Sequence, residues 1–384
     1  MRVNAANRLT GVTRNLDQLT LEAASRRDGL KWSETAPGVI PSWVADMDFP
    51  VPEAVREALI RRVETDLGYP TWIDQPTVGP LGEAFAERME TRYGFRLDPG
   101  HVRSYSDVNQ ALQVLLHLTT RPGDTIALHT PAYHPFLDTI AQMGRRLLPV
   151  PMVPDGDGWR FEVPDERADV LLLVNPHNPT GRVLTAAELA ALAAYAERHD
   201  ALVISDEIHA DLTYAPRTHI PFGTILPERT VTLTSATKAF NMGGIRCCVA
   251  HLGSAAVREA VDAQPAHIYG APNLFGVEAT VAAWRHGDDW LAEVLTILDR
   301  NRRLIAKRLP PQVGYRIPEA TYLGWLDLGF LDEDPAAYLE REARVRLNPG
   351  PLFGPGGEGY ARLNFGTSEP ILEEMLSRIS AALS

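Results

Sequence analysis

The sequence lacks several features that mark particular classes of protein, and cysteine is the first of them. Only two cysteines occur in 384 residues, and they are adjacent, at Cys247 and Cys248. Neighbouring cysteines are poorly placed for a structural disulfide, so we expect reduced thiols and a cytoplasmic protein. Long apolar runs are also missing: the longest strongly apolar stretch, residues 170–174, is far below the roughly 18 residues of a membrane span. We therefore expect no membrane-spanning segment.

Clusters of basic residues are scarce as well. The chain has 37 Lys and Arg against 49 Asp and Glu, for a formal net charge of −12. Because a protein that binds a phosphate backbone needs a basic face, we expect no nucleic-acid partner. Low-complexity tracts and repeats of about 20 to 50 residues are absent too, which argues against disordered and solenoid classes. What remains is a globular protein, and at roughly 150 residues per domain the length predicts two or three domains.

From about residue 50 onward, the sequence alternates between amphipathic helices and short apolar runs. One helix places Val55, Leu59 and Val63 on one face, and a later helix opens with a capping box formed by Thr185 and Glu188. The runs between helices are nearly continuous Val, Ile and Leu, as in "VLLLV". Strands of this kind indicate a mostly parallel sheet that is covered on both faces. The sequence therefore predicts the α/β class.

The pattern changes after about residue 288. A long helix is followed by strands around "YLGWLDLGF" and "YARLNFG" and by a last amphipathic helix from about residue 370. We predict a smaller α+β domain in this part of the chain, joined by the N-terminal residues, which fold back onto it. The predicted division is a large domain at residues 49–287 and a small domain made of residues 1–48 and 288–384.

Polar side chains follow four of the predicted strands. In open α/β sheets, ligands bind beyond the carboxyl ends of the strands, so we expect these side chains to meet in one place. They are Tyr133, residues 175–181, Asp206 with His209, and Ser235 with Lys238.

Lys238 and Asp206 are the charged groups that such a pocket would hold. A lysine at a partly buried strand end has a lowered pKa and is a good amine nucleophile toward a carbonyl, with which it forms a Schiff base. Asp206 could stay ionised only beside a cation, and a protonated pyridine nitrogen would supply one.

The neighbouring side chains complete this chemistry. Asn178 can donate to a phenolate oxygen, Tyr133 can stack on an aromatic ring, and Ser235 with Arg246 can hold a phosphate. Each residue alone is common in a turn or at a strand end, but their joint occurrence in this order indicates a pyridoxal phosphate site. A metal interpretation of "SDEIH", residues 205–209, is not supported by a second His or Cys cluster, so we expect no metal.

The same motifs carry a family resemblance that spans essentially the whole chain. The order of Tyr133, "NPHNPTG", "SDEIH", "SATK", Arg246 and Arg362 resembles that of the fold-type-I pyridoxal phosphate enzymes, the aspartate aminotransferase superfamily. Longer strings, such as "KWSETAPGVIPSWVADMDFPVPEAV", "SATKAFNMGGIR" and "FGPGGEGYARLNF", resemble its cystathionine β-lyase or C–S lyase branch (MalY/PatB-like). The resemblance implies an aspartate aminotransferase-like fold with a seven-stranded sheet in the large domain, and a homodimer with shared active sites.

The resemblance also implies a role for each candidate residue. Lys238 would hold the cofactor, Asp206 would pair with its pyridine nitrogen, and Arg362 would bind the substrate carboxylate. The implied cofactor contacts are Tyr133, Asn178, Asp206, His209, Ser235, Lys238 and Arg246, with the backbone of Val108 and Asn109 at the phosphate. The implied substrate contacts are Arg362, Ala45 and Asn178. Tyr69 would reach the phosphate bound by the neighbouring subunit.

The predicted reaction is β-elimination from an S-substituted cysteine, which yields a thiol, pyruvate and ammonia. One segment departs from the branch, which usually has Pro/Gly-Val-Val where this chain has "SDVNQAL", residues 106–112. An aminotransferase, or a decarboxylation-linked deamination of a specialised-metabolism substrate, stays an alternative because Lys238 would serve each of them. A regulatory protein that only binds a partner is a more distant alternative, and the intact Lys238, Asp206 and Arg362 argue against it.

Overall fold

Helices and strands alternate along the chain in the computed structural model, which describes residues 16–73, 75, 77–265 and 268–384. Within these ranges the α-helices are α1 Leu21–Ala24, α2 Leu30–Ser33, α3 Glu53–Thr65, α4 Gly79–Tyr93, α5 Val108–Thr119, α6 His134–Gln142, α7 Ala186–His199, α8 Ala236–Ala239, α9 Ala255–Asp262, α10 Leu274–His286, α11 Asp288–Arg308, α12 Pro335–Glu342 and α13 Glu369–Ala382. The strands are β1 Ile40–Pro41, β2 Val102–Tyr105, β3 Thr125–Thr130, β4 Arg146–Pro151, β5 Val153–Asp155, β6 Gly158–Arg160, β7 Val170–Val174, β8 Leu202–Asp206, β9 Thr230–Thr234, β10 Cys248–Leu252, β11 Gly314–Tyr315, β12 Leu323–Asp327, β13 Val345–Arg346, β14 Asn348–Pro349 and β15 Tyr360–Asn364. Short 3-10 helices lie at Leu16–Gln18, Pro99–His101, Ala210–Leu212, Phe222–Thr224, Pro227–Arg229, Gly243–Ile245 and Gly350–Phe353.

The centre of the fold is a seven-stranded sheet in the order β2-β10-β9-β8-β7-β3-β4. The four pairs from β9 to β4 are parallel, whereas β10 runs antiparallel to both of its neighbours. Parallel neighbours need a crossover connection, and α6 supplies it between β3 and β4, as α7 does between β7 and β8. The predicted α/β class with a mostly parallel seven-stranded sheet is confirmed.

Strand β7 shows why the apolar runs do not alternate with polar residues. Leu172 packs into a core with residues of α5, α6 and α9, whereas Leu171 and Leu173 pack into a core with α7 on the other face. Because helices cover both faces, successive side chains are all removed from water. Helix α7 begins with the predicted capping box, in which Glu188 N donates to Thr185 Oγ1 at 3.3 Å and Thr185 N donates to Glu188 Oε2 at 2.7 Å.

A four-stranded antiparallel sheet in the order β11-β12-β15-β14 lies in the C-terminal part of the chain. The N-terminal segment reaches the same region, because β1 pairs in parallel with β13 and Ile40 stands opposite Val345. Leu298 of α11 and Leu372 of α13 share one core cluster with Leu363 of β15. The division into domains at residues 48/49 and 287/288 stays a prediction.

Two strands of the large sheet end or begin beside a predicted site residue. Strand β9 ends at Thr234, because Ser235 is the N-cap of α8 and its hydroxyl accepts a backbone N–H of that helix at 3.1 Å. Strand β10 begins at Cys248, because Arg246 has a φ of 57°, in the left-handed region that strand residues do not adopt. Ser235 therefore lies at the start of a helix just after β9, and Arg246 lies in a turn just before β10.

Two further observations concern features that the sequence has little of. Cys247 and Cys248 are free, and both are buried. Among the residues that the structure describes, no helix has the length and apolar character needed to cross a membrane. The cytoplasmic location stays a prediction.

Candidate active site

Residues at or just after the carboxyl ends of β3, β7, β8 and β9 line one cavity of about 650 Å³. The predicted site residues that line it are Ala45, Val108, Asn109, Tyr133, Asn178, Asp206, His209, Ser235, Lys238, Arg246 and Arg362. Tyr69 does not line this cavity, and it is 93% exposed on the surface of the chain. The structure therefore brings together every predicted site residue except Tyr69.

Lys238 lies on the short helix α8, just after strand β9. Its Nζ donates to Ala45 O at 2.8 Å, and Tyr322 Oη donates to the same carbonyl at 2.7 Å. Burial lowers the pKa of the Lys238 amine, and the nearby Asp46 carboxylate opposes this effect only in part. A lysine with a lowered pKa loses its proton more readily, which makes it a better nucleophile and base.

Asp206 ends strand β8 and is 4% exposed. Burial raises its pKa to about 7, and the adjacent Glu207 adds to the rise, although a hydrogen bond from Ile208 N at 3.1 Å opposes it. The buried carboxylate of Glu207 has partners within the fold, because it accepts a hydrogen bond from Phe222 N at 2.9 Å and contacts His219 Nε2 at 3.0 Å. Asp206 is thus a buried carboxylate whose ionised form would be favoured by a cation placed in the cavity.

Arg362 lies on strand β15 and is 2% exposed. Its Nη1 donates to Asn178 Oδ1 and its Nη2 donates to Trp43 O, each at 3.0 Å, and the guanidinium lies over the Phe353 ring at 4.9 Å from its centroid. Burial lowers its pKa to about 10, so the group stays protonated at neutral pH. Within the described part of the chain, its buried Nε has no hydrogen-bond partner. Arg362 therefore keeps a fixed donor for an anionic ligand.

Two rings form further parts of the cavity wall. His209 is buried, and its pKa is lowered to about 3 by burial and by the charges of Lys238 and Arg362, so the imidazole is neutral. Its Nδ1 has no partner among the residues that the structure covers. The Tyr133 ring packs edge-on against Phe136, with centroids 5.3 Å apart and an interplanar angle of 82°. A neutral imidazole and a fixed aromatic ring suit a flat ligand.

The N-terminus of α5 contributes to the cavity as well. Val108 and Asn109 are the first two residues of this helix, so their backbone N–H groups have no acceptor within it and can serve an anion. Ser235 and Arg246 line the same cavity. Arg246 donates to the carboxylate of Asp107, the N-cap of α5. This end of the cavity therefore contains hydrogen-bond donors that could bind an anion, and it also contains the carboxylate of Asp107.

Asn364, at the end of β15, fixes an N-terminal segment beside the cavity. Its side-chain amide donates to Val44 O at 2.6 Å and to Asp46 O at 2.7 Å. These two bonds bracket Ala45, whose carbonyl accepts Lys238 Nζ. Strand β15 thus helps to fix the Ala45 carbonyl, which accepts the hydrogen bond from Lys238 Nζ.

Three residues that shape the cavity were not among those predicted, namely Asp107, Tyr322 and Asn364. The preference of Asp for N-cap positions could have identified Asp107, which directly precedes the helix in "SDVNQAL". Nothing local marks Tyr322 or Asn364, because their partners in the N-terminal segment are far away in the sequence.

Known proteins match this chain over most of its length. The family model described as aminotransferase class I and II matches residues 44–379. The cystathionine beta-lyase PatB of Bacillus subtilis is 33% identical, over 92% of this chain and 96% of its own length. The crystal structure of OvoB has a TM-score of 0.88 at 32% identity and covers 93% of this chain and 96% of its own. The PLP-bound C–S lyase of Staphylococcus hominis has a TM-score of 0.87 at 29% identity and covers 97% of this chain and 99% of its own. These matches confirm the predicted resemblance, and the chain belongs to the aminotransferase class I and II family.

Proposed function

We propose that the protein is a pyridoxal phosphate-dependent C–S β-lyase, which cleaves an S-substituted cysteine into a thiol, pyruvate and ammonia. The observation that carries the proposal is that Lys238, Asp206 and Arg362, which are distant in sequence, line a single cavity. Relatives that are named a cystathionine beta-lyase and a C–S lyase, and that match over more than nine-tenths of the chain, support the same activity.

The cavity fits the cofactor at two ends. The buried Asp206, with its pKa raised to about 7, would pair with the protonated ring nitrogen, whose positive charge would stabilise the ionised carboxylate. The backbone N–H groups of Val108 and Asn109, together with Ser235 and Arg246, would hold the phosphate.

The remaining lining residues fit the ring and the substrate. Tyr133 would stack on the pyridine ring, while Asn178 and the neutral His209 would lie beside its polar edge. Arg362 would bind the substrate carboxylate through its unpartnered Nε, and Ala45 would flank the substrate. The guanidinium suits a carboxylate because it presents donors in a rigid fork.

The mechanism follows from what each side chain can do. When bound, pyridoxal phosphate supplies an electron sink that stabilises negative charge at the substrate Cα. Lys238 would hold the cofactor at rest, and its Nζ, when free, would remove the substrate Cα proton. Asp206 keeps a proton at the ring nitrogen, and Arg362 orients the Cα–H bond by holding the carboxylate.

Loss of the Cα proton sets up the cleavage. The Cβ–S bond would break, with its electron pair leaving on sulfur as a thiolate, to which Lys238 would return a proton. The remaining three-carbon fragment takes up water and yields pyruvate and ammonia. No oxidant or reductant is consumed.

We also propose a homodimer in which Tyr69 extends to the phosphate end of the neighbouring subunit's site. Tyr69 is 93% exposed, and it follows an apolar surface at the end of α3 and just beyond it. That surface consists of Ile60, Val63 and Leu67, which are 41%, 60% and 58% exposed. Exposed apolar groups that lie together mark a surface covered by a partner.

A product assay tests the reaction type. The cofactor-loaded protein is given cystathionine and a generic S-alkyl cysteine, and thiol, pyruvate, keto acid and carbon dioxide are measured. Equal amounts of thiol and pyruvate would support β-elimination. A keto acid formed without thiol would instead indicate an aminotransferase, and release of carbon dioxide would indicate a decarboxylation-linked reaction.

Substitution of Lys238 tests its role directly, because the chain has only three lysines, Lys31, Lys238 and Lys307. We expect Lys238→Ala to lower thiol release by roughly 100- to 10,000-fold and to abolish the covalent fixing of the cofactor by borohydride. Peptide mass spectrometry of the reduced wild type should find the cofactor on Lys238. Lys307→Ala, an exposed lysine on α11, is the matched control and should behave as the wild type. Cofactor still fixed covalently in Lys238→Ala would contradict the assignment.

A further inference from the structure

Asp107 places a carboxylate at the end of the cavity where the cofactor phosphate would lie. Its Oδ1 accepts a hydrogen bond from Gln110 N at 2.9 Å, and its Oδ2 accepts one from Ser106 Oγ at 3.1 Å. Arg246 donates to the same Oδ2. Ser106, Asp107 and Arg246 all line the cavity. Three donors from within the chain therefore fix this carboxylate at the cavity wall.

These contacts use groups that would otherwise serve an anion. A helix N-terminus carries a partial positive charge and free N–H groups, and a guanidinium binds phosphate through paired donors. Asp107 occupies one N–H of the first turn of α5 and pairs with Arg246, so its negative charge offsets the positive charge of that arginine. A phosphate arriving here meets a neutralised arginine and a neighbouring carboxylate.

We propose that Asp107 competes with the cofactor phosphate for Arg246 and so weakens the binding of pyridoxal phosphate. This inference rests on the proposed function, because it requires the cofactor phosphate at the N-terminus of α5. It gives a physical meaning to "SDVNQAL", the segment in which the chain departs from the branch that it resembles. The holoenzyme then loses its cofactor to the solvent more readily than an enzyme with a neutral residue at this position.

Asp107→Asn isolates the charge of this residue. Asn is as good an N-cap as Asp, so the bond from Gln110 N is kept and the side chain has the same size. Arg246 is released for the phosphate, and a repelling charge is removed. We expect the dissociation constant of pyridoxal phosphate to fall roughly tenfold, a change within the range for one partly exposed ion pair and its removed repulsion.

The experiment compares two ligands that differ only in the phosphate. Full-length protein freed of cofactor is titrated with pyridoxal phosphate and with pyridoxal, and tryptophan fluorescence reports binding independently of activity. In Asp107→Asn, the dissociation constant should fall for pyridoxal phosphate and stay within about twofold for pyridoxal. The gain should shrink in high salt, because the charges are partly exposed and are screened.

Two further variants serve as controls. Asp334 is also an N-cap carboxylate that lines this cavity, and its Oδ1 accepts a hydrogen bond from Ala337 N at 2.8 Å. Asp334→Asn should leave the ratio of the two dissociation constants unchanged, which separates a local effect from a general effect of charge. In an Arg246→Gln background, Asp107→Asn should give a smaller gain, because no guanidinium is left to release.

The outcomes separate this inference from the proposed function. An unchanged or higher dissociation constant for pyridoxal phosphate in Asp107→Asn would overturn the inference, because Asp107 would then support Arg246 instead of competing for it. An equal gain for pyridoxal would overturn it too. If the wild type bound neither ligand, the proposed function itself would fail.

Discussion

At the scale of single residues, two buried aspartates show how the surroundings set a charge. Asp206 has a pKa of about 7, because the hydrogen bond from Ile208 and the charge of Lys238 offset only part of the effect of burial. At Asp211 burial also acts to raise the pKa, but the charges of Arg88 and Arg92 outweigh it and lower the pKa. Arg88 Nε lies 2.9 Å from Asp211 Oδ2. Arginines of the fold stabilise the negative charge of Asp211, whereas the charge of Asp206 would be fully stabilised only by a bound ligand.

We expect Asp206→Asn to stabilise the cofactor-free protein, and to do so more strongly as the pH rises. Because its folded pKa of about 7 lies above the ordinary value of 3.8, the folded chain binds this proton more tightly than the unfolded chain. Wild-type stability therefore falls as the pH rises from about 4 to about 7. At about 1.4 kcal/mol per pKa unit, the loss is on the order of 4 kcal/mol at pH 8. Melting temperatures at pH 5 and pH 8 check the difference.

Asp211→Asn is the control of opposite sign. A carboxylate with a lowered pKa contributes stability above its unfolded pKa and loses that contribution as the pH falls through the folded pKa. Asp211→Asn should therefore lower the melting temperature more at pH 8 than in acid. A gain from Asp206→Asn that is equal at pH 5 and pH 8 would contradict the raised pKa of Asp206.

The positions of single site residues could be predicted from the sequence where the residue lies at or just after the end of a strand. Lys238 and Asp206 directly follow apolar runs, so their place at the carboxyl edge of a parallel sheet could be predicted from the pattern. The pairing of Asp107 with Arg246 could not be predicted in this way, because it depends on how a helix start and a turn 139 residues apart meet.

At the scale of elements, the loop between β7 and α7 is held against the segment between β11 and β12. Gly181 O accepts hydrogen bonds from Glu319 N and Ala320 N, at 2.9 and 3.0 Å. Gly181 has a φ of +70°, and a Cβ added to it would lie 2.2 Å from Pro318 Cβ. This close approach fixes the loop that carries Asn178, the partner of Arg362.

We expect Gly181→Ala to destabilise the protein and to disturb substrate binding. The added methyl group meets both an unfavourable backbone conformation and a steric clash, for a combined cost of roughly 3 kcal/mol or more. A movement of this loop that relieves the clash would displace Asn178, the partner of Arg362. The melting temperature should fall, and the KM for the S-substituted cysteine should rise.

Gly94→Ala is the matched control for this substitution. Gly94 has a similar φ of +66°, but a Cβ there would have no atom within 4 Å. It should cost only the backbone penalty of about 1 kcal/mol and leave KM unchanged. Equal losses of stability in the two variants would show that the contact with Pro318 is unimportant.

Helices and strands were the most predictable elements, and their ends were the least. The capping box of Thr185 and Glu188 is local, so the start of α7 could be predicted from its own residues. The start of β10 depends on the left-handed conformation of Arg246, which no local pattern marks. The pairing of β1 with β13 joins residues about 300 positions apart, so it could not be predicted from the periodicity of the sequence either.

At the scale of the whole molecule, the apolar surface of Ile60, Val63 and Leu67 bears on assembly. If the proposed homodimer forms through this surface, Val63→Glu should favour the monomer, because a charge buried in a subunit interface without a partner is strongly unfavourable. Light scattering after size exclusion would measure the molar mass. Cofactor affinity should fall with dissociation, since Tyr69 would leave the neighbouring site.

Phe330→Glu provides the control for this prediction. Phe330 is 46% exposed and lies in the C-terminal part of the chain, away from α3 in sequence. It should keep the molar mass of the wild type. A Val63→Glu protein with that same molar mass would argue against an interface at the end of α3.

The bonds from Asn364 to Val44 and Asp46 imply an order of events during synthesis. Val44 leaves the ribosome 320 residues before Asn364, which at about 5 to 20 residues per second is a delay of roughly 15 to 60 s. Lys238 and Asp206 emerge within that interval, before the strand that fixes their surroundings exists. A nascent or stalled chain therefore carries the reactive amine without a finished pocket around it, and catalysis must wait until strand β15 has been added.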